Sequence, residues 1–105
     1  MTGPAARRMA VDATSRPVLA RHARLKFDET RDRWVLLVPE RVLAPDEVAT
    51  EILQLCDGSR DVAAIVGLLA AKYTADRDVI ATDVIGLLQD LAGRGFLVNA
   101  REKVQ

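Results

Sequence analysis

The stretch RWVLLVPERVL, residues Arg33–Leu43, restricts the fold more than any other part of this chain. Trp34–Val38 is a continuous apolar run, the pattern of a strand covered on at least one face. Pro39 has no N–H to give to a ladder, so the strand ends there and Pro39-Glu40 makes a turn. Arg41–Leu43 returns as a short strand. Upstream, RLKFDE (Arg24–Glu29) alternates, with Leu25 and Phe27 on one side and Arg24, Lys26 and Asp28 on the other. That is the period of a half-buried strand. The charged DETRDR (Asp28–Arg33) is the turn between the first two strands. A three-stranded antiparallel meander follows, and its third strand has no evident partner on its far side.

Beyond Pro45 the period changes from two to that of a helix. Asp46 is an N-cap with Glu47 in the positive first turn. Val48, Ile52, Leu55 and Cys56 form an apolar stripe, and Gly58 is the expected stop. Asp61 caps a second helix with Val62, Ile65, Val66, Leu69 and Tyr73 inward. A third helix starts near Asp76, carries Ile80, Val84, Leu87, Leu88 and Leu91 as its stripe, and ends at Gly95. Phe96–Val98 reads as a short extended return that packs on the sheet or core. The expected fold is α+β: a three-stranded antiparallel sheet followed by three helices, resembling a winged helix-turn-helix.

A chain of 105 residues is enough for one domain with one core. Residues 1–15 are small, polar and without period, and are expected to form a disordered tail. The domain proper is expected over 16–98, with a C-terminal tail over 99–105. The N-terminus has no apolar h-region, so it is not a secretory signal. No run is long enough to span a membrane. Cys56 is the only cysteine, which excludes an internal disulfide and fits a reducing cytosol, so a cytoplasmic location is expected.

The chemistry open to this chain is narrow. His22 and Cys56 are single, and neither has companions at catalytic spacing. Cys56 lies on an apolar stripe beside Asp57, the opposite of the positive, exposed niche a reactive thiolate needs. No cluster has metal-ligand spacing, and the glycines form no phosphate loop. The expectation is no enzyme, no metal and no cofactor. A winged helix could place its third helix in a DNA groove, but net charge argues against it. Formal charge is zero overall, yet residues 1–45 carry nine Lys/Arg against five Asp/Glu while residues 46–105 carry six against ten. The third helix holds Asp76, Asp78, Asp83 and Asp90 against Arg77, a face that phosphate would repel. Nucleic acid is therefore not the expected partner.

The open edge offers another use. An unpaired edge strand is normally blunted, and one that is kept can accept an incoming peptide. Arg41, Val42 and Leu43 would give about two to four new hydrogen bonds at a net of about 1 kcal/mol each. Micromolar affinity needs about 8 kcal/mol, so side-chain pockets must supply the rest. The expected groove lies between the third strand and third helix, with Asp83, Asp90 and Arg94 as a polar rim. The bland alternative is that Val42 and Leu43 merely close the core while Asp83 and Asp90 face solvent. A third use of the same edge is pairing with a second copy in a homodimer.

Three blocks carry a more specific signal: RPVLARHARLKFDETRDRWVLLVPERVL, EILQLCDGSRDVAAIVGLLAAKY and DVIGLLQDLAGRGFL. In this order and spacing they resemble the pyrroloquinoline quinone biosynthesis protein D family, PqqD, from about Arg16 to Leu97. Val38 stands where that pattern suggests an aromatic residue, and Ala44-Pro45 where it suggests a leucine. The resemblance implies a peptide chaperone, a RiPP recognition element. Such a domain binds the precursor peptide PqqA and presents it to the radical S-adenosylmethionine enzyme PqqE. The resemblance also implies that the peptide adds as a strand beside Arg41, Val42 and Leu43. It would pack on the helix face of Asp83, Val84, Leu87, Asp90 and Leu91.

Overall fold

In a computed structural model of the chain, residues 9–100 are described. The expected strands are β2 (Arg24–Asp28), β3 (Arg33–Val38) and β4 (Arg41–Leu43), preceded by a short β1 (Pro17–Leu19). They are followed by α1 (Glu47–Gln54), α2 (Val62–Tyr73), α3 (Arg77–Gly93) and β5 (Leu97–Asn99). The meander forms as β2-β3-β4, all antiparallel, with Leu25 opposite Leu36 and Leu36 opposite Leu43. Period-two alternation then puts Leu25, Leu36, Val38 and Leu43 on the helix side, where they join the core. Val35, Leu37 and Val42 fall on the outer side.

The β3–β4 turn needs one unusual backbone angle. Pro39 supplies the fixed φ of the first corner and Glu40 takes φ +66°, the combination found in a type II turn. At the other end of the meander, Asp28 accepts backbone hydrogen bonds from Thr30 and Arg31 and shapes the charged turn. Phe27 and Trp34 face each other across β2 and β3 edge-to-face, centroids 5.6 Å apart.

All three helix starts obey the same local chemistry. The carboxylates of Asp46, Asp61 and Asp76 accept from the backbone N–H of Ala49, Ala64 and Asp78 at 2.8, 2.9 and 2.8 Å. Each satisfies a donor the helix itself leaves unpaired. The ends differ more from expectation. α1 stops at Gln54 rather than at Gly58, so Cys56 lies just past the helix, where its Sγ–H donates to the Ile52 carbonyl. Gly58, at φ +85°, serves a different contact: its N–H donates to the Pro17 carbonyl, and a Cβ there would meet Ala100 at 3.1 Å. Gly95 does close α3. Its N–H donates to Ala92 and that of Phe96 to Leu91, the paired bonds of a Schellman motif.

The core joins the three helices to the sheet through Ile52, Leu53, Val62, Ile65, Leu69, Val84, Leu88 and Leu36. Two residues expected inside are not there. Val48 and Tyr73 are half exposed, because they sit in the first turn of α1 and the last turn of α2, where the helices run past the packed centre.

The return segment has a partner that the sequence left unmarked. β5 pairs antiparallel with β1, Val98 opposite Val18, as a second two-stranded sheet. Residues 9–15, expected as part of a tail, lie against the helices instead. Met9 and Val11 are buried in the core. Val11 N–H donates to Gln89 Oε1 and Gln89 Nε2 donates to the Met9 carbonyl. Val62 and Ala63 N–H donate to the Ser15 and Ala13 carbonyls at the start of α2. Residues 1–8 of that tail, and 101–105 of the C-terminal one, fall outside the described residues.

Candidate functional site

β4 is the outer strand of its sheet, paired with β3 on one side and with no strand among the described residues on the other. Its backbone can be read from the turn. A two-residue hairpin closes on a hydrogen-bonded pair, here Val38 and Arg41. Alternation then aims the N–H and C=O of Arg41 and Leu43 at β3, and those of Val42 at the open edge. β2 is the other outer strand, but Arg24, Lys26 and Asp28 blunt it with charge. β4 carries one charge, and Val42 is 56% exposed.

The eight residues expected to bind peptide separate into three environments. Arg41, Val42, Asp83 and Asp90 are exposed. Leu43 and Leu87 are partly buried and pack on the same core. Val84 and Leu91 are 1% and 5% exposed, so Leu91 holds the fold together rather than offering a surface. Asp90 is joined to Arg94 one turn on, at 3.3 Å, while Asp83 makes no hydrogen bond or ion pair among the described residues. Side chains on β4 point both ways: Leu43 faces the helices, and Val42 faces the outer side of the sheet, away from α3.

α3 does border a cleft, but its facing walls are helical. Ile80, Asp83 and Val84 of α3 enclose it with Val48 and Ile52 of α1 and with Leu69 and Tyr73 of α2, in a volume of about 160 Å³. Val48, in the first turn of α1, is the lining residue nearest to β4 in the sequence.

Two wider hollows went unmarked in the sequence. One, of about 620 Å³, lies between the β2–β3 turn and the α1–α2 pair, with Phe27, Arg33, Trp34, Glu51, Lys72 and Tyr73 on its walls. Here the Glu51 carboxylate accepts from Lys72 Nζ and from the Tyr73 hydroxyl. The Lys72 hydrogen bond, then the Tyr73 one, holds the Glu51 carboxyl below the usual range. The same bonds push Lys72 and Tyr73 up. The other hollow, about 600 Å³, is on the outer sheet face around Lys26, Val35, Leu37 and Val42. The apolar run of β3 carried that signal, since Val35 and Leu37 make its second face apolar too.

Reactive chemistry is sparse among the described residues. Burial, reinforced by Asp57, pushes the Cys56 thiol up to about 12. No group of His, Cys, Asp or Glu there has the arrangement of a metal site. Among the described residues no helix is long and apolar enough to cross a membrane.

A family model described as Coenzyme PQQ synthesis protein D (PqqD) matches residues 33–97, which include β4 and all three helices. The chain belongs to the PqqD family. Among its PqqD relatives, a PqqA binding protein of Rhodopseudomonas palustris strain TIE-1 is 71% identical over 98 residues, 93% of this chain and 96% of the relative. A PqqA binding protein of Bradyrhizobium diazoefficiens is 62% identical over 103 residues, 98% of each. The solution structure of the PqqD truncation of Methylobacterium extorquens PqqCD superposes with a TM-score of 0.71 at 39% identity, covering 84% of this chain and 94% of that one. That PqqD is described as a functional, stand-alone RiPP recognition element. The crystal structure of PqqD from Xanthomonas campestris gives a TM-score of 0.51 at 41% identity, covering 81% and 94%.

Proposed function

We propose that this chain binds the precursor peptide PqqA and presents it to the radical S-adenosylmethionine enzyme PqqE during pyrroloquinoline quinone biosynthesis. The observation that carries the binding half is the open, nearly uncharged edge of β4, on a chain whose relatives are named PqqA binding proteins. The peptide adds as a strand beside β4. Val42 offers one donor and one acceptor, so the edge contributes about 2 kcal/mol net toward the roughly 8 kcal/mol of a micromolar complex. Side chains on the α3 side, with Asp83 and Leu87 exposed or partly so, provide the remainder.

Presentation then acts by concentration and placement. A peptide held on a carrier that docks on the enzyme meets the active centre at a high effective concentration. The carrier lowers no chemical barrier. Ordering a flexible peptide has an entropic cost, which keeps affinity modest and permits release after modification. Amide NMR titration of the labelled chain with PqqA tests the binding half. Shifts concentrated at Arg41–Leu43 and along Asp83–Asp90 are expected. Shifts confined to the outer sheet face, or none at excess peptide, would overturn it. Adding PqqE to the loaded chain tests presentation: the peptide-bound spectrum broadens on complex formation, and an unchanged spectrum would sink that half.

A further inference from the structure

We propose that the outer face of the β2-β3-β4 sheet is a second recognition surface for the bound peptide, where Val42 and Leu37 select an apolar side chain at the one peptide position that pairs with Val42. This rests on the peptide-binding reading above and names the peptide position that the edge selects.

Strand geometry sets the placement. The N–H and C=O of Val42 point at the open edge, so the residue of an added strand that lies opposite Val42 turns its side chain to the same side as Val42. That side is the outer face, where Val42 stands opposite Leu37 and is 56% exposed. The peptide residues before and after it lie level with Arg41 and Leu43 and turn toward the helices.

The outer face is apolar on the side nearest that edge. β3 has two apolar sides: Leu36 and Val38 join the core under the helices, and Val35 and Leu37 lie on the opposite side. A strand apolar on both sides is the pattern of one covered on both. Val35 is already buried, but Leu37 is only partly so and Val42 is exposed, so the uncovered part lies next to the free edge. Arg24 and Lys26 stand on this face along β2, which puts the charge at its far border. The hollow of about 600 Å³ on this face has both Leu37 and Val42 in its lining, so the edge strand itself forms one of its walls. A β-branched or aromatic side chain opposite Val42 covers that wall, the cross-strand pairing that sheets favour. A charged side chain there gains none of it.

The test uses the full chain and fluorescein-labelled PqqA at low salt. Val42→Glu charges an exposed side chain and keeps the backbone N–H and C=O; edge strands tolerate charge, so folding, checked by the amide spectrum, is retained. It is expected to weaken PqqA binding about two- to fivefold, the size of one lost cross-strand pair. Peptides with each residue in turn replaced by lysine then locate the partner. One lysine position should bind Val42→Glu about threefold or more tighter than it binds the wild-type chain, because only directly paired residues couple. Its two neighbours, which face the helices, should show no such preference. A scan with no position favouring Val42→Glu would overturn selection by the outer face and leave strand addition standing, since the Val42 backbone is unchanged. A peptide-free dimer that Val42→Glu dissociates in sedimentation would give this face to a second copy and overturn the proposal too. No binding by the wild-type chain would overturn the peptide reading and this proposal together.

Discussion

Tyr73 donates its hydroxyl hydrogen to the carboxylate of Glu51, tying the last turn of α2 to α1. Lys72 reaches the same carboxylate, and its ammonium lies 5.5 Å from the centre of the Tyr73 ring. Tyr73 lines both the cleft among the three helices and the wider hollow at Phe27 and Trp34, so this small network fixes a wall that the two share. Because the folded Glu51 carboxyl is held below its ordinary 4.5, its contribution is fully present above that pH. It is lost as pH falls through the lower, folded value. Glu51→Gln is therefore expected to lower stability near pH 7 and to converge with wild type at acid pH, flattening the acid limb below about pH 4.5, as urea unfolding at a series of pH values would read. An acid limb as steep as wild type would show that the network carries no linkage.

Val42→Pro should separate binding from folding. The Val42 N–H points at the open edge, the side chain is exposed, and proline is tolerated on an edge whose N–H faces solvent. PqqA binding is expected to fall at least tenfold while circular dichroism and thermal midpoint stay near wild type. Leu43→Pro would instead remove a β3 ladder bond and disturb a side chain packed on the core, so its binding loss would come with unfolding.

On α3, adjacent turns should give opposite phenotypes. Leu91→Ala removes a core side chain and is expected to cost about 2–5 kcal/mol of stability, measured by denaturant unfolding. Leu87→Ala, partly exposed, is expected to cost less stability and to show its larger effect in the peptide titration. A binding defect in Leu91→Ala larger than its loss of folded protein would contradict this division.

Thr74 ends α2 at φ +51°, a left-handed conformation that a β-branched residue adopts only under strain. Thr74→Gly removes the strain at some cost in chain entropy, and is expected to stabilise the fold by about 1 kcal/mol. For a domain of this size that is a rise of roughly 4–8 °C in Tm.

The sequence displayed what is local and concealed what is distant. Asp46, Asp61 and Asp76 were legible as caps because the donors they satisfy lie two or three residues away. The meander was legible because five-residue alternation and a proline turn leave few options. β1 was not, since three residues are too few to show a period and its partner lies at the other end of the chain. Met9 and Val11 escaped for the same reason: their latch, Gln89, is one amide on the far side of α3. At the site, the open edge could be read from the order of the elements. The α3 residues facing the cleft could not, because a helix stripe does not say where the core ends and a surface begins. Val84 and Leu91 share that stripe with Ile80 and Leu87, and only packing separates them.

The pairing of β1 with β5 brings the two ends of the domain side by side, with the Ala100 N–H donating to the Arg16 carbonyl at 2.7 Å. Topologically the domain is then a ring closed by one clasp. A chain nicked in the charged turn at Thr30-Arg31 would keep the clasp, the free edge of β4 and the helical layer.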